Sequence, residues 1–374
     1  MESKDKLCRR SRKSDPCHKT GSSLVASRKI AILVEAGKSI GGGHLQRMQC
    51  LATQKEIACQ AILTRTPEQV ASICQGRSLL SGTLSEQLSA LVVQHPDVEV
   101  LVSDPPYSAE DPTYRDGDNW HDFIRRAHQH GLKTVFFTDE DKPSTHIADG
   151  LVNDHPQAGD FHAAYQSSFD AVCAASSVAG GKKDIRMLLG ISNFLIEPVD
   201  QISADHPADI FVNFGAFDQL DALPKFAAAL ETLSQTHDIF IAGPGAESLV
   251  LHQGQDRRHR QFEKLPREAF LRHLANATFC ITAAGNVLYE RAHFNVPGIS
   301  IAQSDHQDTI GISFQALGLT THLGKASELD AHELASAITQ LLDDHAALHQ
   351  QRANCADYDM HRGTRDIVEL VRHV

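Results

Sequence analysis

The chain has 374 residues, 41% of them hydrophobic, and a formal net charge of −12, a size and apolar content that suit two ordinary domains with real cores. Its first 29 residues carry a net +6 and the remainder −18, so the body offers no basic face for nucleic acid. No run of 18 or more apolar residues occurs, which excludes a transmembrane helix, and the eight cysteines show no Cys-x-x-Cys or zinc spacing and read as reduced thiols of a cytoplasmic protein.

Residues 1–28 read as a disordered basic tail, with no apolar stretch of the kind a secretory signal needs. Short β-branched runs then alternate with helix-length amphipathic stretches, the pattern of a parallel α/β domain. A strand is expected over 29–34, a helix from His44, a strand over 59–63 and helical stretches over 67–74 and 85–93. Strands over 98–102 and 132–137 flank a helix at 120–130, and shorter strands over 147–152 and 169–173 close a first domain, 29–200. A polar stretch holding Pro198 and Pro207 follows, and the pattern restarts in a second domain, 207–374. There we expect strands over 210–214, 239–242, 279–283 and 298–302. Helices are expected over 219–233, 267–275, 287–293, 309–317 and 331–342. The fold class is therefore α/β: two Rossmann-like domains facing across a cleft.

The sharpest motif is Ser39-Ile40-Gly41-Gly42-Gly43-His44-Leu45-Gln46-Arg47, directly after the first strand. Its glycines let backbone approach a ligand, and the helix that follows aims free amides and its positive end at that ligand. The same field opposes a second proton on a first-turn imidazole, so His44 is placed as a general base. Arg47 shares its helix face and is placed to clamp an anion. The spacing does not fit the G-x-G-x-x-G dinucleotide fingerprint.

A second strand-to-turn-to-helix motif is Thr282-Ala283-Ala284-Gly285-Asn286, with Glu290 one turn on. Amides of Ala284, Gly285 and Asn286 suit a diphosphate, and the Glu290 carboxylate suits ribose hydroxyls. Gly215, in Phe214-Gly215-Ala216-Phe217-Asp218, and His306-Gln307, after Ser304-Asp305, end two further strands. All four motifs lie at carboxyl ends of strands, where open α/β sheets bind ligands. Asp139-Glu140-Asp141 is formally D-x-D but reads as an acidic loop, so neither a metal nor any other cofactor is expected.

Taken in order, Gly41-x-Gly43-His44-x-x-Arg47, Ala283-Ala284-Gly285 with Glu290, and His306-Gln307 resemble the UDP-sugar hydrolases of pseudaminic acid biosynthesis. That family is related in fold to the two-domain, B-type glycosyltransferases. The resemblance runs from about residue 29 to the end of the chain and takes in segments 102–107, 138–140, 148–153 and 189–198. It implies that His44 activates water against the anomeric carbon of a UDP-linked amino sugar. It also implies that UDP leaves onto the Ala284–Asn286 turn, that Glu290 holds the ribose, and that Tyr107 lines the sugar side. Gly42, Gly43, Gly215, His306 and Gln307 complete the expected substrate contacts. The chain departs from the family where Ala216-Phe217 replace Gly-Ser, where Ala284 and Asn286 alter a Gly-Gly-Thr turn, and where His306 replaces asparagine. Two other readings fit the same residues: an inverting glycosyltransferase using a UDP-sugar donor, and a non-catalytic nucleotide-sugar-binding paralogue.

Overall fold

The computed structural model describes residues 27–37, 40, 42–105, 120–139, 147–175, 185–199, 208–218, 220–252 and 258–374. In the first unit the order is β1 (Arg28–Val34), α1 (Gly43–Ala52), β2 (Ile57–Thr64), β3 (Ser78–Ser81), α2 (Leu84–Gln94) and β4 (Val100–Asp104). It continues with α3 (Trp120–Gln129), β5 (Lys133–Thr138), β6 (Gly150–Asn153), α4 (His162–Ala175) and β7 (Arg186–Leu189). The second unit begins with β8 (Ile210–Asn213), α5 (Ala222–Lys225), α6 (Ala227–Leu233), β9 (Ile239–Ala242), β10 (Arg260–Phe262) and α7 (Arg267–Asn276). Next come β11 (Phe279–Ala283), α8 (Asn286–His293), β12 (Gly298–Ala302), α9 (Asp305–Ala316) and β13 (Thr321–Lys325). Three helices end the chain: α10 (Ala331–Asp343), α11 (His345–Ala356) and α12 (Gly363–His373).

The strands form two sheets, seven-stranded in the order β3-β2-β1-β4-β5-β6-β7 and six-stranded in the order β10-β9-β8-β11-β12-β13. Among the described residues, every pairing of these strands is parallel. Parallel strands covered by helices on both faces must be apolar throughout, and Ile30 to Val34 are all fully buried. Strand order reverses between β1 and β4 in the first sheet and between β8 and β11 in the second. These are the two positions where a doubly wound sheet opens a crevice at its strand ends.

Three expectations are corrected. Residues 169–173 belong to α4, not to a strand: Tyr165 and Phe169, four apart, are both buried on one helix face, and the strand that closes the sheet is β7. Residues 67–74 give only a short 3-10 turn, Ala71–Cys74. The helix expected over 219–233 breaks into α5 and α6 at Phe226, whose backbone (φ −96°, ψ 9°) leaves the helical region.

Helix α12 follows the second sheet in sequence but packs on the first. Ile367, Val368, Leu370 and Val371 join the core shared by β1, β4, β5 and β6, the helix lying against β6 and β7. A Cβ on Gly150 would sit 3.0 Å from Val374 and 3.1 Å from Leu370, so β6 admits this helix because residue 150 is glycine. The Thr364 hydroxyl accepts from Ile196 N–H at 3.1 Å and donates to the Ile196 carbonyl at 2.9 Å, tying the helix to the segment that leads to the second unit. Among the described residues, no helix is long and apolar enough to cross a membrane.

Candidate functional site

The strand ends of both sheets face a cleft of about 600 Å³, within the size range of small-molecule sites. From the first unit it is lined by Gly42, Gly43, His44 and Arg47; from the second by Gly215, Gly285, Asn286, Glu290, His306 and Gln307. The structure thus brings together residues up to 265 positions apart in sequence, from Gly42 to Gln307. Tyr107 lies outside the described residues. Ala284 does not face the cleft: its side chain is fully buried, and its N–H donates to the Ile301 carbonyl at 3.0 Å. That amide serves the sheet and is withdrawn from any diphosphate, which leaves the turn to Gly285 and Asn286.

Helix α1 begins at Gly42 with no side-chain cap and no acidic residue in its first turn, so its leading amides stay open. Helix α8 begins at Gly285 in the same uncapped way. The two N-termini meet across the cleft, where a Cβ on Gly43 would fall 2.7 Å from the side-chain amide nitrogen (Nδ2) of Asn286. Glycine at 43 is what allows that approach. At Gly42 a Cβ would lie 3.2 Å from the Ala216 Cβ, so the first-unit loop also touches the turn after β8.

His44 Nδ1 lies 2.9 Å from Asp104 Oδ1 at the end of β4. Arg47 holds the same carboxylate with two further bonds, 2.6 Å from Nε to Oδ2 and 2.6 Å from Nη2 to Oδ1. Burial pushes the Asp104 carboxyl up, but Arg47 and then His44 overcome it and hold it below the usual carboxylate range. An ionised Asp104 favours the tautomer that donates from Nδ1–H and leaves Nε2 with a lone pair to take a proton, although Arg47 Nη2, which can only donate, also lies 3.1 Å from Nδ1. Arg47, expected to clamp an anion, is instead 2% exposed and occupied by carboxylates, since its Nη1 also donates to Asp154 Oδ2 at 2.9 Å. Its guanidinium holds Asp104 beside His44 and joins it to Asp154.

Asp104, Asp139 and Asp154 end or follow three neighbouring strands, β4, β5 and β6. Each comes after a buried polar residue: Ser103, Thr138 and Asn153. They do not share one fate. For Asp154, burial is the largest influence and lifts its carboxyl to about 7, against the pull of Arg47. Asp139 is held far below the ordinary range: burial is the largest influence and opposes ionisation, but His306, from the other unit, with Arg47 and His44 together outweigh it. Sequence reasoning missed Asp104 and Asp154, although the repeated apolar-polar-Asp ending of these strands was there to be read.

On the second unit, Glu290 is 2% exposed and gripped by Arg267, Nη2 to Oε1 at 2.7 Å and Nη1 to Oε2 at 3.2 Å. Burial nevertheless leaves its carboxyl above the ordinary range, with Arg267 opposing. Arg267 Nε also donates to Glu197 at 2.7 Å, and the Gln46 amide oxygen, turned toward it, accepts from Nη1 at 2.8 Å. One guanidinium therefore links α7 and α8 to α1. The turn after β8 is shaped by Asn213, which donates to the Ala242 carbonyl at 2.7 Å and accepts from Gly215 N–H at 3.0 Å. Gly215 has φ 92°, a conformation that favours glycine. Asp218 faces the chain rather than a ligand, accepting from Ala222 and Leu223 N–H at 2.8 and 2.9 Å to start α5.

At the start of α9 the cap is Ser304, which accepts from Gln307 N–H at 3.2 Å. Asp305 pairs instead with Lys325 at 2.6 Å. Gln307 uses its amide oxygen on Gln303 N–H at 3.0 Å, and its amide nitrogen would lie 3.5 Å from a Cβ on Gly285. His306 Nε2 reaches across the cleft to Asp139 Oδ2 at 3.2 Å.

No protein-family model matches the chain, and no curated protein matches its sequence. Its fold is similar to MurG of Acinetobacter baumannii, at a TM-score of 0.61 and 14% identity over 93% of this chain and 100% of that one. It is also similar to LpCGTa in complex with UDP, at 0.58 and 14% over 93% and 100%. A UDP-N-acetylglucosamine 2-epimerase gives 0.53 and 13% over 93% and 96%. At such identities the likeness is one of architecture: the chain has the two-domain, Rossmann-like fold of the B-type glycosyltransferases.

Proposed function

We propose that this protein hydrolyses a UDP-linked amino sugar to UDP and the free sugar by a single inverting displacement. The observation that carries this reading is the His44–Asp104 pair, set at the switch point of the first sheet with the open N-terminus of α8 facing it. His44 Nε2 removes a proton from water, the water oxygen bonds to the anomeric carbon, and the bond from that carbon to the diphosphate oxygen breaks. Its electron pair leaves on UDP, toward the amides of Gly285 and Asn286 and the positive ends of α1 and α8. UDP as the nucleotide is supported by the chemistry of the fold's neighbours, and the amino sugar by the sequence resemblance.

An inverting glycosyltransferase, in which His44 deprotonates an acceptor hydroxyl, is the second reading. Phe217, 37% exposed at the cleft, favours it, because an apolar wall suits an acceptor better than water. The complete base arrangement argues against a non-catalytic paralogue. Incubating the protein with a panel of UDP-amino sugars and no acceptor separates the three: hydrolysis releases UDP and free sugar in equal amounts. UDP release that appears only when an acceptor alcohol is added supports the transferase, and binding without either product supports the paralogue.

Glu290 carries a separate expectation. Its oxygens keep lone pairs beyond those that Arg267 uses, so ribose hydroxyls can still donate to it. Glu290→Ala is expected to weaken UDP binding by about 1.5–3 kcal/mol, the scale of a hydrogen bond to a charged group. Calorimetry with UDP checks it; unchanged affinity would mean that Glu290 serves only to anchor Arg267.

A further inference from the structure

Building on the proposed displacement, we infer that His306 is a catalytic cation that receives the departing diphosphate, and that Asp139 on the opposite unit completes it when the cleft is closed. Three observations carry this. His306 lines the cleft with Gln307, Gly285 and Asn286, and Gln307 reaches the Gly285 cap of α8, so His306 faces the same space as the amides offered to the diphosphate. Its imidazole bridges the units, Nε2 to Asp139 Oδ2 at 3.2 Å, while Nδ1 has no protein partner among the described residues. The side chain is half-exposed, open to a ligand rather than sealed in a core.

Asp139 is first among the influences on His306 and raises its proton affinity, as Asp154 does more weakly, while burial and Arg47 oppose. On its own helix the nearby acids are Asp305, which is paired with Lys325, and Asp308, which is paired with His322 at 2.8 Å. An imidazolium held by Asp139 through Nε2–H keeps Nδ1–H as a second donor for an anion. As the bond to the anomeric carbon breaks, the electron pair passes to the diphosphate oxygen, and the charge appearing there meets this cation. The proton taken from water stays on His44, so His306 need transfer none. Because its carboxylate partner belongs to the other unit, the cation is at full strength only in the closed cleft. Leaving-group stabilisation is thereby tied to closure, and the asparagine expected at this position could not supply it.

The sign with pH follows. The raised affinity keeps His306 charged above the ordinary histidine value of about 6.5, and the charge is lost as pH rises through its value in the folded protein. Asp139→Asn lowers that value, so its deficit in kcat relative to wild type should widen as pH increases. In a His306→Lys background, where the charge is permanent over this range, the Asp139→Asn deficit should not vary with pH.

The deciding measurement is the NMR titration of the His306 ring in the full-length protein with and without UDP, the signal being assigned by its loss in His306→Gln. We expect titration above an ordinary histidine, a further upward shift with UDP, a downward shift in Asp139→Asn, and UDP affinity about 10-fold weaker in His306→Gln. A ring that titrates indifferently to UDP, or a His306→Gln protein with wild-type UDP affinity, overturns the inference. These readouts use UDP alone, so a protein that shows them but cleaves no UDP-sugar refutes the hydrolase reading while leaving His306 as the diphosphate contact.

Discussion

His44→Ala is expected to lower kcat by ~10²–10⁴, the usual contribution of a positioned general base, while UDP binds nearly as before. The separation follows from the architecture. His44 belongs to α1 of the first unit, whereas the Gly285–Asn286 turn and Glu290 belong to the second. Steady-state kinetics on whichever UDP-sugar the protein cleaves, with calorimetry on UDP, gives both numbers. If kcat stays within about threefold of wild type, well short of a lost base, the proton goes elsewhere and the role of His44 must be reassigned.

The second large effect is expected at Asp104. Asp104→Asn keeps the volume but removes the charge that fixes Nδ1–H; the equivalent change in serine proteases lowers kcat by about 10⁴ through the wrong tautomer. Here it also leaves the buried Arg47 with Asp154 alone, and loss of one partner from a buried ion pair costs about 3–5 kcal/mol. Activity and thermal unfolding should therefore both fall. Because Asp104 is held low in the folded chain, its contribution to stability is present above the unfolded carboxylate value of about 3.9 and lost as pH drops through the folded one. Wild type and Asp104→Asn should converge in stability in strong acid and diverge toward neutrality. A variant with full kcat would show that His44 needs no orienting carboxylate.

Much of the cleft lining was legible in the sequence. The glycine-histidine loop and the Ala-Gly-Asn turn each join a β-branched run to a helix within a few residues, so their chemistry is local. What Arg47 does was not legible. Its spacing from His44 places the two on one face, but its partners are 57 and 107 residues downstream, brought in by the order β4-β5-β6. The same long range hides the contacts of Arg267 with Gln46 and of His306 with Asp139. Among the strands, the four edge strands β3, β7, β10 and β13 were missed: Ser-Leu-Leu-Ser and Arg-Met-Leu-Leu are too short to show a pattern, and Arg-Gln-Phe and Thr-His-Leu-Gly-Lys carry little of the apolar signal that marks buried strands. Residues 169–173 misled for the opposite reason: a short apolar run looks alike in a buried strand and on the buried face of a helix.

The return of α12 to the first core makes the second unit a long excursion within the first. The chain crosses between the bodies twice, once before β8 and once before α12, and Arg28 at the start of β1 donates to the carbonyl of Val374 at 3.3 Å. A double connection restricts the relative twist of the two bodies more than a single one would, as a door on two hinge pins swings but does not twist. It also sets the order of biosynthesis. The second body has all its strands before the first can fill the groove beneath β6, which stays open until α12 itself has been synthesised.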